Sequence, residues 1–136
     1  MFYGRTGADV KIDLSSGNVE KEEGNPEEYK AFLGGRGTCT KRFWDEVEPE
    51  VPPFSEDNPL IFDAGLLCGT VAPGANRTTL VTKSPQTGLL TYSAAGGFWA
   101  PELKRAGYDS LSIYGKSLDP VYLWIDNGRV EIRDAN

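Results

Sequence analysis

Residues 8–14, ADVKIDL, alternate apolar and polar side chains without a break, which is the period of a strand with one buried face. SSGN supplies a turn, and NVEKEE is expected to return as the second arm of a hairpin. In NPEEYKAFLGG the helix signals agree: Asn25 to cap, Pro26 at the first helical position, Glu28 at capping-box spacing, and Gly34 to end the helix. After GGRG a second helix is predicted over TKRFWDEV, with Phe43 and Val47 four residues apart on one face. EPEVPPFSEDNP then reads as a polar, proline-rich surface connection.

Beyond it LIFDAGLL, RTTLVTK, GLLTYSA and DSLSIYG all carry strand character. A short helix over residues 98–106 is expected between the last two. The closing PVYLWIDNGRVEIRD places two alternating arms around Asn127-Gly128, a two-residue hairpin loop. Strands outnumber helices and no βαβ alternation recurs. The prediction is therefore an α+β fold, a sheet-rich base domain with a few short helices.

Length, charge and residue inventory narrow what such a domain can do. The 136 residues suffice for one domain, 1–136, with a modest core; 39% of them are apolar and 25% charged, a globular balance. Net charge is −6 with the acids dispersed, which argues against a nucleic-acid partner, since that needs a basic face. No apolar run is long enough for a membrane span. The start, MFYGRTGADVKIDL, lacks the layout of a secretory signal, so a cytoplasmic location is expected. The chain has no histidine, which removes the commonest general base and metal ligand together. Cys39 and Cys68 form no CxxC unit and read as buried free thiols, with a disulfide left open. No nucleophile–base pair can be named, so no catalytic residue is assigned.

The stretch between residues 70 and 107 is the most suggestive. A strand ends in SAAGG and opens onto FWAPELKRAG, while Arg77 lies on the approach after a Pro/Gly turn. Gly96 and Gly97 carry no Cβ, so a ligand could come close to the main chain there, and free N–H groups at a helix start favour anions. Arg77 would add a charge-assisted grip on phosphate. A tight turn or a packing contact would also account for the diglycine. Neither GxxxxGK[ST] nor a GxGxxG spacing is present.

Taken together, VKIDLSSGNVE, FLGGRG, PLIFDAGLLCGTVAPGANRTTLVTKSPQTG, SAAGGFWAPELKRAGYDSLSIYGKS and PVYLWIDNGRVEIRD resemble, in order and spacing, the N-terminal domain of the tungsten-containing aldehyde:ferredoxin oxidoreductase family. The resemblance implies a sheet-rich α+β base on which a tungsten bis-pterin cofactor (tungstopterin) lies, its pterin phosphates linked through magnesium. It implies that Arg77 binds pterin phosphate, between the pterin and a nearby 4Fe–4S cluster whose ligands lie outside this chain. The family's Asn-Ser-Gly-Gly corresponds to Ala94, Ala95, Gly96 and Gly97. Ala94 would offer its main-chain carbonyl to magnesium and Gly96 would contact pterin. The two alanines depart from the family pattern by removing side-chain hydrogen bonding. Asn76 is a further cofactor-binding candidate, with a turn role as its alternative.

Family members are several times longer, so the domain is expected to be incomplete. It would work with its remaining domains or a larger catalytic subunit, and with ferredoxin or another electron-transfer protein. The implied activity is oxidation of aldehydes to carboxylic acids. Two alternatives stand beside it: the aromatic-ring-reducing branch typified by the active subunit of ATP-independent benzoyl-CoA reductase, to which GLLCGT, NRT and GGFWAPELK are similar, and a non-catalytic scaffold or assembly subunit.

Overall fold

The computed structural model describes residues 4–136; residues 1–3, part of the segment read above for a signal, lie outside it. Eight strands and three helices follow one another as β1 (Ala8–Asp13), β2 (Asn18–Glu23), α1 (Pro26–Phe32), α2 (Arg36–Glu46), β3 (Leu60–Ala64), β4 (Thr78–Lys83), β5 (Leu90–Ala95), α3 (Trp99–Arg105), β6 (Ser110–Tyr114), β7 (Val121–Asp126) and β8 (Arg129–Asp134). Six of the strands form one mixed sheet in the order β2-β1-β6-β3-β4-β5, and β7-β8 form a separate ribbon. Only β1 and β6 run parallel; every other pairing is antiparallel. This is the α+β fold expected from the strand-rich pattern.

The two faces of the sheet differ in chemistry because each strand alternates. One face presents Val10 and Ile12 from β1, Leu111 from β6 and Phe62 from β3. Leu103 of α3 and Leu123, Ile125, Val130 and Ile132 of the ribbon cover it. The other face carries Ile61 and Val81 against Cys39 and Phe43 of α2, with Val47 beside them, so the predicted Phe43/Val47 stripe does face the core. The rest of that face is polar. Arg42 donates through Nε to Glu28 (2.7 Å), through Nη2 to Asp9 (2.6 Å) and through Nη1 to Ser110 (2.6 Å). Burial alone would lower the Arg42 pKa, but the Asp9 and Glu28 carboxylates outweigh it and hold the guanidinium firmly charged.

Some local readings shift. The Asn25 side chain caps α1 by accepting from the N–H groups of Glu27 and Glu28, but Glu28 turns its carboxylate to Arg42 rather than closing a capping box. A long-range ion pair wins over a local one. Helix α1 closes on Leu33 in the left-handed region, one residue before Gly34. Helix α2 starts at Arg36, inside the GGRG run, four residues earlier than the pattern suggested. Strand β3 stops at Ala64, so the GLL of LIFDAGLL belongs to a turn. The Asn127-Gly128 hairpin has positive φ at both central residues, as a type I′ turn requires.

Candidate functional site

The β4–β5 hairpin brings the sequence-predicted site residues to one end of the sheet. Thr78 pairs with Ala95 and Thr79 with Ala94, so Arg77 and Asn76, just before β4, lie opposite the Gly96-Gly97 step just after β5. A Cβ placed on Gly96 would sit 3.6 Å from Asn76 Oδ1, which puts those two residues side by side. The main chain around Arg77 is pinned from below: its carbonyl accepts from Gly65 N–H at 3.1 Å and from Cys68 Sγ at 3.2 Å.

All six of these residues are exposed: Asn76, Arg77, Ala94, Ala95, Gly96 and Gly97. Among the described residues Arg77 has no ion pair. Strand β5 is the edge of the sheet, so alternate backbone groups along it face away from β4 and are free to bind something else. Gly97 adopts φ +113°, with nothing within 4 Å of where a Cβ would stand. The left-handed backbone belongs to Gly97 and not to Gly96, so Gly96 is set apart by exposure rather than by strain. Helix α3 has only seven residues and Phe98 offers no side-chain cap, which leaves the helix dipole little weight at this junction. What favours an anion here is an exposed arginine with no ion pair among the described residues, across the hairpin from exposed main chain.

Sequence reasoning missed a second feature on the same floor. The Arg36 guanidinium lies over the Tyr92 ring at 4.7 Å, and Tyr92 pairs with Val81, two steps along β5 from Ala94. The placement of Arg36 comes from the buried layer. Leu33, Gly34 and Gly35 all take positive φ, and a Cβ on Gly34 would fall 1.8 Å from Arg5 Nη2, so the chain can approach Arg5 only without one. Gly35 N–H then donates to Asp63 Oδ1 at 2.6 Å, and Arg5 Nη1 approaches Asp63 Oδ2 at 3.4 Å. Burial pushes the Asp63 carboxyl up to about 6, against the opposing pull of Arg5 and the Gly35 N–H. The only signal in the sequence was GGRG itself, which local rules read as a helix boundary.

Comparison with known proteins decides the family. The model of the aldehyde ferredoxin oxidoreductase N-terminal domain matches residues 10–136. The chain belongs to the aldehyde ferredoxin oxidoreductase N-terminal domain family. It is 43% identical over 135 residues to a tungsten-containing aldehyde ferredoxin oxidoreductase of Pyrococcus furiosus, covering 99% of this chain and 22% of that protein. It is 39% identical over 137 residues to the WOR-like subunit of an aliphatic sulfonate oxidoreductase from the same organism, covering 98% of this chain and 22% of that protein. Among solved structures it superposes with a TM-score of 0.97 and 55% identity on a chain of the active-site complex BamBC of benzoyl-coenzyme A reductase, determined with 1,5-dienoyl-CoA. That match covers 99% of this chain and 21% of the other. The chain thus spans about a fifth of the length of the relatives it matches.

In this aldehyde ferredoxin oxidoreductase N-terminal domain, no group of three or more histidine, cysteine or acidic side chains able to hold a metal occurs among the described residues. Cys39 and Cys68 are free and buried, and burial raises both thiol pKa values. They are poor ligands in that state. No helix among the described residues is long and apolar enough to cross a membrane. Large apolar side chains also stand uncovered in the segments that flank the site residues in sequence, among them Leu67 (54% exposed), Val71 (103%) and Phe98 (82%).

Proposed function

We propose that this domain is the cofactor-holding base of a tungsten-pterin oxidoreductase, and that it completes its site with further polypeptide. The observation that carries the reading is the open end of the β4–β5 hairpin, where Arg77, without an ion pair among the described residues, lies across the hairpin from the exposed Gly96-Gly97 step. The residues fit the group. A fork of N–H donors suits phosphate oxygens, and the end of an edge strand that carries only alanine methyls and bare glycine leaves room for a flat, extended body. Arg77 would hold pterin phosphate, Asn76 would assist, Gly96 would lie against pterin, and Ala94 would offer its carbonyl to magnesium. The cofactor supplies two-electron redox chemistry; the domain binds and orients it. A 4Fe–4S cluster held by residues outside this chain, with ferredoxin or a similar carrier beyond it, would receive or deliver the electrons.

Two substrates compete. Aldehyde oxidation to a carboxylate rests on relatives such as the Pyrococcus furiosus enzyme. Reduction of an aromatic acyl-CoA rests on the benzoyl-coenzyme A reductase chain, and the higher identity there, 55% against 43% over the same span, favours it. A non-catalytic scaffold would have no use for an unpaired arginine beside open main chain.

The test compares tungsten and pterin per folded protein in the full-length, anaerobically purified protein and its variants. Arg77→Ala is expected to lose most of both, and Arg77→Lys to recover part, because an ammonium cannot reproduce the planar fork. Gly96→Ala should also lose cofactor while leaving the melting temperature unchanged, since the added Cβ meets only Asn76 Oδ1 at an ordinary 3.6 Å. Ala94→Ser, which keeps its carbonyl, should keep the cofactor. Full occupancy in both Arg77→Ala and Gly96→Ala would overturn the reading and leave the diglycine as a turn device.

A further inference from the structure

The floor beside Arg77 does not end at Ala94. Cross-strand partners share a face of a sheet. Tyr92 pairs with Val81, which packs on Cys39 and Phe43 of α2. Ala94 pairs with Thr79, whose Oγ1 lies 3.8 Å from where a Cβ on Gly35 would stand. Both therefore belong to the α2 side, and the strand period carries Arg77 and Gly96 to that side as well. The result is a strip of exposed strand with Arg77 at one end, alanine in the middle, and Arg36 stacked on Tyr92 at the other. Four residue steps of extended chain lead from Tyr92 to Gly96, about 13 Å at strand rise.

Arg36 shares with Arg77 two properties that most cations of this chain lack: exposure and the absence of any ion pair among the described residues. With Asp and Glu outnumbering Lys and Arg by 20 to 14, leaving both cations unpaired along one bare strip runs against the average. Stacking on Tyr92 pre-orients the guanidinium plane and leaves its N–H edge free to donate. A lone phosphate cannot touch both ends of the strip; an elongated, flat ligand with oxygen acceptors at its periphery can.

We infer that Arg36, held by Tyr92 and by the Asp63–Gly35 bond beneath it, is a second binding residue for the same cofactor. It would donate to oxygen acceptors at the end of the ligand remote from Arg77. Arg36 touches the ligand; Tyr92, Gly34, Gly35 and Asp63 position it. The inference rests on the proposed function, since it concerns a second part of that site.

The experiment measures tungsten and pterin per folded full-length protein, and the rate at which both are lost at raised ionic strength. Arg36→Gln is expected to lower occupancy at least threefold and to speed loss in salt, Arg36→Lys to fall between, and Tyr92→Phe to match the parent. Tyr92→Leu, which removes the ring and leaves Arg36 in place, should speed loss while holding the melting temperature. It also serves as the reporter if Arg36→Gln fails to fold. Parent-like occupancy and release in Arg36→Gln, alongside loss in Arg77→Ala, overturns the inference and leaves the proposed function standing. If Arg36→Gln does not fold, parent-like release in Tyr92→Leu overturns it instead. Parent protein without tungsten or pterin, or full occupancy in both Arg77→Ala and Gly96→Ala, overturns the proposed function and the inference together.

Discussion

Strands β1 and β5 are both six residues long and belong to one sheet, yet their surroundings are opposite. In β1, Val10 and Ile12 are almost fully buried in the apolar layer, while Asp9 on the other face takes a buried ion pair from Arg42. In β5 every residue except Thr91 is exposed, and Leu90 and Tyr92 stand open although their chemistry suits a core. The difference teaches where this domain is self-sufficient. Strand β1 is paired on both sides and finds its cover within the chain, whereas β5, at one edge of the sheet, leaves strand-forming side chains and its outer backbone groups open. Such edges are usually blunted or covered. Here the uncovered edge coincides with the two arginines that have no ion pair among the described residues.

The sharpest way to break that contrast is at the closed end. Arg42→Ala removes one guanidinium from Asp9 and Glu28, whose side chains keep only 7% and 14% of their surface exposed, and strands two buried carboxylates. A loss of about 3–5 kcal/mol is expected in denaturant unfolding. A loss below about 1 kcal/mol would mean that this face is as loosely held as β5. Ile12→Ala in β1 should cost about 2–5 kcal/mol by the same measurement, because Ile12 is completely buried.

A third prediction concerns pH. Asp63 has its pKa raised to about 6 in the fold, above its unfolded value near 3.8. Its favourable contribution is therefore complete below the unfolded value and fades as pH rises through about 6. Asp63→Asn should remove this dependence. The melting temperature of the variant relative to the parent should climb as pH goes from 4 to 7, by an amount worth on the order of 2–3 kcal/mol. A difference that stays flat across that window would show that Arg5 and the Gly35 N–H fully offset the burial of the carboxylate. The smallest effect belongs to the open end: Leu90→Ala, at a side chain already 39% exposed, should change the stability of the domain by less than about 1 kcal/mol. A larger loss appearing only in the full-length protein would show that β5 acquires its cover there.

The amino-acid order alone determined whatever depends on local period and turn chemistry. The alternation in ADVKIDL, the Asn25-Pro26 start of α1, the Phe43/Val47 stripe and the Asn127-Gly128 hairpin were all legible, because each is decided by neighbours a few residues away. Arg77 and the Gly96-Gly97 step could be singled out for the same reason. A turn and a solvated surface would account for both by local rules, and it was the resemblance that supplied a use for them. Only the tertiary structure decided that β1 runs parallel to β6 across nearly the whole chain, and that Glu28 turns to Arg42 instead of capping α1. The start of α2 moved into GGRG because Asp63, distant in sequence, takes the Gly35 N–H at 2.6 Å. The pairing of Arg36 with Tyr92 was equally invisible. It depends on α2 packing over β4 and on β5 pairing beside it, and contacts between residues far apart in the chain follow from burial of the whole sheet, which no short window of sequence contains.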